Sequence, residues 1–433
     1  MVTIKPFKGI RYNKEKVIDF SKVITPPYDV INEKQKQEFQ DASEYNYVRL
    51  LLGKNGENGE KDYKDVAELL AEWQKNKILE QDGQDSIYIY SQTFQLNGKQ
   101  VTRIGFNSLI KLEPHGQGVL PHEKTMERPF KDRLNFISAT KANLGCIFML
   151  YDDRERIIDT LINEKITNLQ PDMEFTDKVS IQHKLWKISD NDFIEKIKTE
   201  MEKYQCIIAD GHHRYRSNLE YSNQNPDLED AKYTLCSFVN SFNEGLLVLP
   251  IDRFIHSLKE ADIDHILTKL KESFEIEELT SPEELVGKID STDVMIDKET
   301  NQKNHVIGMY SFQNKKSYFL KLKDNNILKG IYPDKTNIYQ RLDINILHKI
   351  VFNNILNISD EDQYQGTNIE YTKSDHRALD KLDNNKYQLA FFLNPPLLRE
   401  IFLTARADET MPQKSTFFYP KIYSGLVINK IGG

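Results

Sequence analysis

Near the middle of the chain, residues 190–203 carry apolar side chains at helical spacing and run straight into Tyr204-Gln205-Cys206-Ile207-Ile208-Ala209. That largely apolar run halts at Asp210-Gly211-His212-His213-Arg214, after which Ser217 to Tyr221 continue as a helix. A short apolar run enclosed by two helical patterns reads as a buried strand covered by helices, so the chain builds layers of helix on sheet. At 433 residues it exceeds what one hydrophobic core usually fills. The expected fold is α/β with a mixed sheet: a catalytic core over residues 1–256 and an additional α/β subdomain over 257–433, where the character of the sequence changes.

The remaining pattern fills in this plan. Residues 3–12 alternate like an edge strand, and Thr25-Pro26-Pro27-Tyr28-Asp29 breaks regular structure. Val66, Leu69, Leu70, Trp73 and Ile78 mark an amphipathic helix within residues 60–80. Stretches 86–96 and 99–112 meet at Asn97-Gly98, a dipeptide that favours a tight hairpin turn. Residues 113–135 show neither period and read as one long functional loop. Strands are expected over 146–151 and 183–188, with a helix over 154–167. Beyond residue 256 the expectation is a helix over 259–274, an acidic stretch over 276–300, a hairpin of 305–312 with 316–322, a helix over 341–356, a strand over 387–393 and a helix over 397–406.

Composition limits the function classes. Hydrophobic residues make up 39% of the chain and charged residues 29%, which is the balance of a folded protein. Lys and Arg number 58 against 66 acidic residues, giving a net charge of −8, so no extended basic face is available for DNA or RNA. An anionic substrate must be met by a local cluster of cations and backbone N–H groups. Cys146, Cys206 and Cys236 stand far apart in apolar surroundings and read as reduced core residues. The first residues lack a signal-peptide layout and no run approaches the ~18 apolar residues of a membrane span, so the expected location is the cytoplasm.

The turn at 210–214 concentrates chemistry. The first turn of a helix presents unpaired N–H groups and the positive end of its dipole. Here that turn also bears His212, His213, Arg214 and Arg216, which can grip a phosphate or relay a proton. Asp210 beside a bound phosphate makes sense if it holds Mg2+ or takes a proton from an attacking hydroxyl. The plainer alternative has the histidines capping a helix and the arginines in ordinary ion pairs. A second cluster, His122-Glu123-Lys124-Thr125 with Arg128, Lys131 and Arg133 behind it, mixes acid, base and hydroxyl. Met126 stands where a zinc peptidase of the H-E-x-x-H type needs histidine. Lys124 and Arg133 suit phosphate oxygens, and Glu123 suits a general base or a magnesium ligand. Asp29 on its proline-rich bend, Arg49 in an apolar run and Lys414-Ser415-Thr416 near the end are weaker candidates for contacting substrate. Neither G-x-x-x-x-G-K-[ST] nor a strand-linked G-x-G-x-x-G occurs.

TPPYDVI, NYVRL, GVLPHEKT, ANLGCIF, DGHHRY and MPQKSTFFYPK together resemble, in order and along nearly the whole chain, a widespread microbial family long classed as a domain of unknown function. The D-G-H-H-R element also resembles the free-serine kinases of the ParB/sulfiredoxin-like fold. The resemblance implies a ParB/sulfiredoxin-like core and a kinase that moves a phosphoryl group from pyrophosphate to free L-serine. It implies that Asp210, His212, His213 and Arg214 hold the donor and its Mg2+; Lys124, Thr125 and Arg133 are further phosphate-binding candidates by residue type. Glu123, with His122 and Lys124, would lie opposite, leaving the general base open between Glu123 and Asp210, and charge type makes Asp29, Arg49 or Lys414, with Ser415 and Thr416, the candidates for meeting serine. The expected protein is a monomer or homodimer acting on small molecules, without nucleic acid or membrane. The rival readings are an ATP- or ADP-dependent serine kinase, a phosphatase on the same fold, and a non-catalytic ParB-like nucleic-acid-binding protein. The last is opposed by the net charge and by the lack of a helix-turn-helix with a basic recognition helix.

Overall fold

A computed structural model describes residues 1–55, 61–96, 98–259, 262–291, 303–373, 377–383 and 386–432. Asn97 and the last part of the acidic stretch lie outside the described residues. The chain divides into two compact units, one of residues 1–121, 125–247 and 420–433, the other of 122–124 and 248–419. The division falls just before the strand Ile251–Ile255, and the chain's last stretch returns to the first unit.

The first unit is built on a nine-stranded mixed sheet. In spatial order it runs Met173–Thr176, Gln182–Ile188, Ile87–Leu96, Lys99–Lys111, Tyr233–Asn240, Ile147–Tyr151, Cys206–Asp210 and Val119–Leu120, with Ile4–Lys5 added beside Lys99–Lys111. Ile147–Tyr151 lies parallel to Tyr233–Asn240 and Cys206–Asp210 parallel to Val119–Leu120; the other pairs are antiparallel. Phe106, Ile147, Met149, Ile208 and Phe238 lie in its core, under Phe193, Ile194 and Ile197 from the helix Asn191–Met201. All three cysteines are buried and free, and burial pushes the Cys146 thiol up to about 12, which leaves it unreactive. No helix among the described residues is long and apolar enough to cross a membrane.

Several elements depart from the sequence reading. The expected loop over 113–135 contains the strand Val119–Leu120 and the first half of the helix Glu127–Thr140. Pro129 sits in that helix's first turn, where its missing N–H costs nothing, and Arg133, Phe136, Ile137 and Thr140 form its buried face. A buried arginine in the apolar stripe hides the period. The expected edge strand over 3–12 splits into Ile4–Lys5 and Ile10–Tyr12, which pair with different partners.

The second unit carries a six-stranded antiparallel sheet in the order Phe274–Leu279, Lys316–Leu322, Val306–Ser311, Leu389–Leu393, Ile251–Ile255 and Ile369–Lys373. Its helix Ile263–Ser273 starts later than expected because the Asp262 side chain caps it by accepting from the Asp264 N–H. The expected helix over 341–356 is broken into Asp343–Ile346 and a wider π-type segment Leu347–Ile355. Within that segment, burial and the nearby charge of Arg253 hold the His348 imidazole down at about 3. His348 is neutral in the folded chain but ionises near 6.5 when unfolded, so it contributes stability above that pH and loses it as pH falls toward 3. The thermal midpoint is therefore expected to drop between pH 6.5 and 4, and His348→Gln should flatten that slope in a melting series. An unchanged slope would assign the acid sensitivity elsewhere.

Candidate functional site

In the first unit, the strand Cys206–Asp210 is buried through Ala209 and emerges at Asp210. Gly211 follows with φ of +99°, a left-handed angle that L side chains rarely adopt, and serves as the N-cap of the helix His212–Gln224. A Cβ at Gly211 would stand 3.0 Å from the Arg214 guanidinium. The glycine thus permits both the sharp turn and the folding back of Arg214 over it.

Asp210 is held from two sides. Arg214 Nη2 donates to Oδ2 at 3.0 Å, and Lys421 Nζ reaches Oδ1 at 3.2 Å. Arg214 Nη1 also donates to the Cys146 carbonyl. Lys421 is only 8% exposed, and its own carbonyl accepts from Gln92 Nε2 at 2.9 Å, while the Gln92 amide oxygen accepts from Arg103. Two cations on one carboxylate leave a positive excess, and the helix dipole adds to it. Such an arrangement can attract a small anion.

The neighbouring side chains divide their duties. His213 Nε2 accepts the Met126 N–H at 2.8 Å, so this histidine anchors the start of the helix Glu127–Thr140, close to the capping alternative. His212 is buried. Arg216 donates to Thr125 Oγ1 at 3.1 Å and to Glu127 Oε1 at 2.5 Å, and stacks on Phe130, which spends both it and Thr125 on joining two helices. Arg133 is 5% exposed, bonded to Asp132 and to the Tyr63 hydroxyl, with its guanidinium 4.3 Å from the centre of the Tyr28 ring. Burial raises the Tyr28 phenol above its ordinary value, although the charge of Arg133 pulls the other way. Asp29 is exposed, and Arg49 Nη2 donates to the Gln40 carbonyl. Among the described residues no hydrogen bond or ion pair joins Asp29 or Arg49 to the Asp210 cluster.

The other candidates belong to the second unit. His122 is fully buried there; its Nε2 lies 2.9 Å from Thr416 Oγ1 and its carbonyl accepts the Met411 N–H. Glu123 pairs with Met411 and its Oε1 accepts from the Ser415 N–H at 3.4 Å. The carbonyl of Lys414 accepts from Arg253 Nη2 at 3.0 Å, and Lys124 is exposed. The expected serine-contacting loop 414–416 is thus brought against His122 and Glu123.

Lys421 is not among the candidates that local sequence pattern offers. It closes the string MPQKSTFFYPK, but its link to Asp210 spans 211 positions and no local pattern announces it. Magnesium meets a mixed reception. Among the described residues no three His, Cys, Asp or Glu side chains converge as a metal cage. Asp210 alone can serve, with phosphate oxygens and water completing the shell as they usually do for Mg2+, but it would have to share oxygens already facing Lys421 and Arg214.

A family model described as "Protein of unknown function (DUF1015)" matches residues 4–345. No curated protein matches. Among solved structures the chain is similar to a conserved hypothetical protein from Pyrococcus furiosus, at 14% identity over 73% of this chain and 92% of that one, with a TM-score of 0.34. It is similar to a free serine kinase in complex with AMP at 14% identity, over 72% of this chain and 86% of the other, with a TM-score of 0.34. A C-terminally truncated SbnI from Staphylococcus aureus aligns at 10% identity over 76% of this chain and 83% of its own, with a TM-score of 0.33. Alignments at such scores do not identify a common fold.

Proposed function

Because this chain belongs to the DUF1015 family, which brings no assigned chemistry with it, we propose its activity from the site itself: a kinase that transfers a phosphoryl group from pyrophosphate to the hydroxyl of free L-serine. The reading is carried by one observation, the Asp210 carboxylate clamped between Arg214 and Lys421 at the start of a helix. In this reading the donor's charge is neutralised by Lys421, Arg214 and the helix start. Asp210 takes the proton of the serine hydroxyl as that oxygen bonds to the terminal phosphorus; the bridging P–O bond breaks and orthophosphate leaves. Such transfer depends mainly on placement and electrostatics, which side chains fixed by burial supply. Mg2+ is proposed to arrive with the donor, with Asp210 its protein ligand, and would further neutralise the phosphate oxygens. A ParB/sulfiredoxin-like identity for the core belongs to the same proposal and rests on the D-G-H-H-R motif.

The test is a donor comparison. Purified protein is incubated with L-serine, Mg2+ and either pyrophosphate, ATP or ADP, and followed by phosphorus NMR. Phosphoserine and orthophosphate are expected with pyrophosphate. Phosphoserine from a nucleotide alone would transfer the activity to that donor, orthophosphate without phosphoserine would make the protein a phosphatase, and no product with any donor would remove the kinase reading.

A further inference from the structure

Beside the Asp210 clamp, within the first unit, lies a cavity of about 40 Å³ whose wall includes Tyr28, Arg133, Asn143, Gly145, Arg214 and Ser424. At ~10–15 Å³ per water it has room for about three waters, the size of a small polar head group. Its polar lining is peculiar in what it leaves unmet. Arg133 gives Nε and Nη2 to Asp132 and Tyr63. Arg214 spends Nη1 and Nη2 on Cys146 and Asp210, and its buried Nε has no partner. Buried donors are almost always met, so the Arg214 Nε–H, on a guanidinium that lines the cavity together with Arg133, calls for an acceptor. The amides of Asn143 and Asn218 are bonded to one another and leave that role to the arginines.

We propose that this cavity is the acceptor pocket, that it takes the carboxylate-bearing end of a small hydroxy amino acid, and that Gly145 sets its size. The inference rests on the kinase reading above and deepens it. A carboxylate offers guanidinium groups two oxygens in matching geometry. A fully charged pyrophosphate would surrender more of its hydration to a wall that, beside its polar groups, includes Leu51, Phe136 and Ile137. Gly145 faces the same space: a Cβ there would meet Arg214 Nη1 at 3.5 Å and Ser424 Oγ at 3.6 Å, which are ordinary contacts. Alanine can therefore be seated without displacing either neighbour, and it would occupy room that the ligand needs.

The experiment is calorimetric titration of L-serine, and separately of magnesium pyrophosphate, into the wild-type protein and Gly145→Ala. The variant is expected to bind serine about tenfold or more weakly, the scale on which a single carbon discriminates in a fitted pocket, while pyrophosphate affinity and thermal midpoint stay near wild type. Unchanged serine affinity in the variant, or no serine binding by the wild type, would overturn the inference. Should Gly145→Ala fold poorly, Ser424→Thr adds a methyl group to the same wall and carries the same expectation. Serine binding that is sensitive to Gly145 but yields no phosphoserine with any donor would strike down the kinase reading and leave the pocket standing.

Discussion

Asp210→Asn is expected to lower the turnover number about a thousandfold, within the range that a positioned general base contributes. The asparagine amide has nearly the same shape but cannot take up the hydroxyl proton. It also removes the negative charge between Arg214 and Lys421, which leaves the site more positive than before. The gain in positive charge favours the donor while the lost magnesium ligand disfavours it, so donor affinity should change far less than turnover, which collapses. That split separates a catalytic carboxylate from a merely structural one, whose loss would loosen the cations and weaken donor binding as well. Steady-state kinetics over a pyrophosphate series read both quantities. Glu123→Gln, in the second unit, is expected to retain most of the activity; the reverse pattern would make Glu123 the proton acceptor.

Lys421→Met should cost about a hundredfold to a thousandfold in kcat/KM, the usual effect of removing one preorganised donor from a developing charge. Here the signs differ from the previous case. With Lys421 gone, Asp210 and Arg214 form a neutral pair and the positive excess disappears, so the KM for pyrophosphate should rise and its dependence on salt should weaken. Lys421→Arg keeps the charge and should recover part of the loss. Methionine keeps the length and apolar body of the lysine stem, which limits disturbance at a position only 8% exposed. Equal damage from Met and Arg would mean that packing, not charge, is what the residue supplies.

How far the sequence could be read follows from how local each signal is. The strand ending at Asp210, the glycine turn and the helix after it are encoded by adjacent residues, and all three form where the pattern placed them, with the helix starting at His212. The hairpin of Ile87–Leu96 with Lys99–Lys111 is equally local. By contrast Tyr233–Asn240 lies in the middle of the first sheet, yet its sequence carries no strand pattern. Covered on both faces, it has no alternation, and its Thr234, Ser237 and Asn240 look like loop residues although all are buried. The role of Arg133 was also hidden, because a guanidinium stacked on Tyr28 and Phe136 inside a helix face looks in sequence like a solvated charge. The pairing of His122 with Thr416 and of Asp210 with Lys421 depends on contacts across 294 and 211 positions, which a single sequence does not display. The residue types of the site were legible; their partners were not.

A small phosphate anion is expected to dock on the cationic start of the helix His212–Gln224. A crystal structure with methylenediphosphonate, which pyrophosphate-using sites accept in shape but cannot cleave, tests it directly. Phosphonate oxygens are expected within hydrogen-bonding distance of Lys421 Nζ and of the first-turn backbone of that helix. An analogue bound elsewhere, with Lys421 and Arg214 still closed on Asp210, would contradict it.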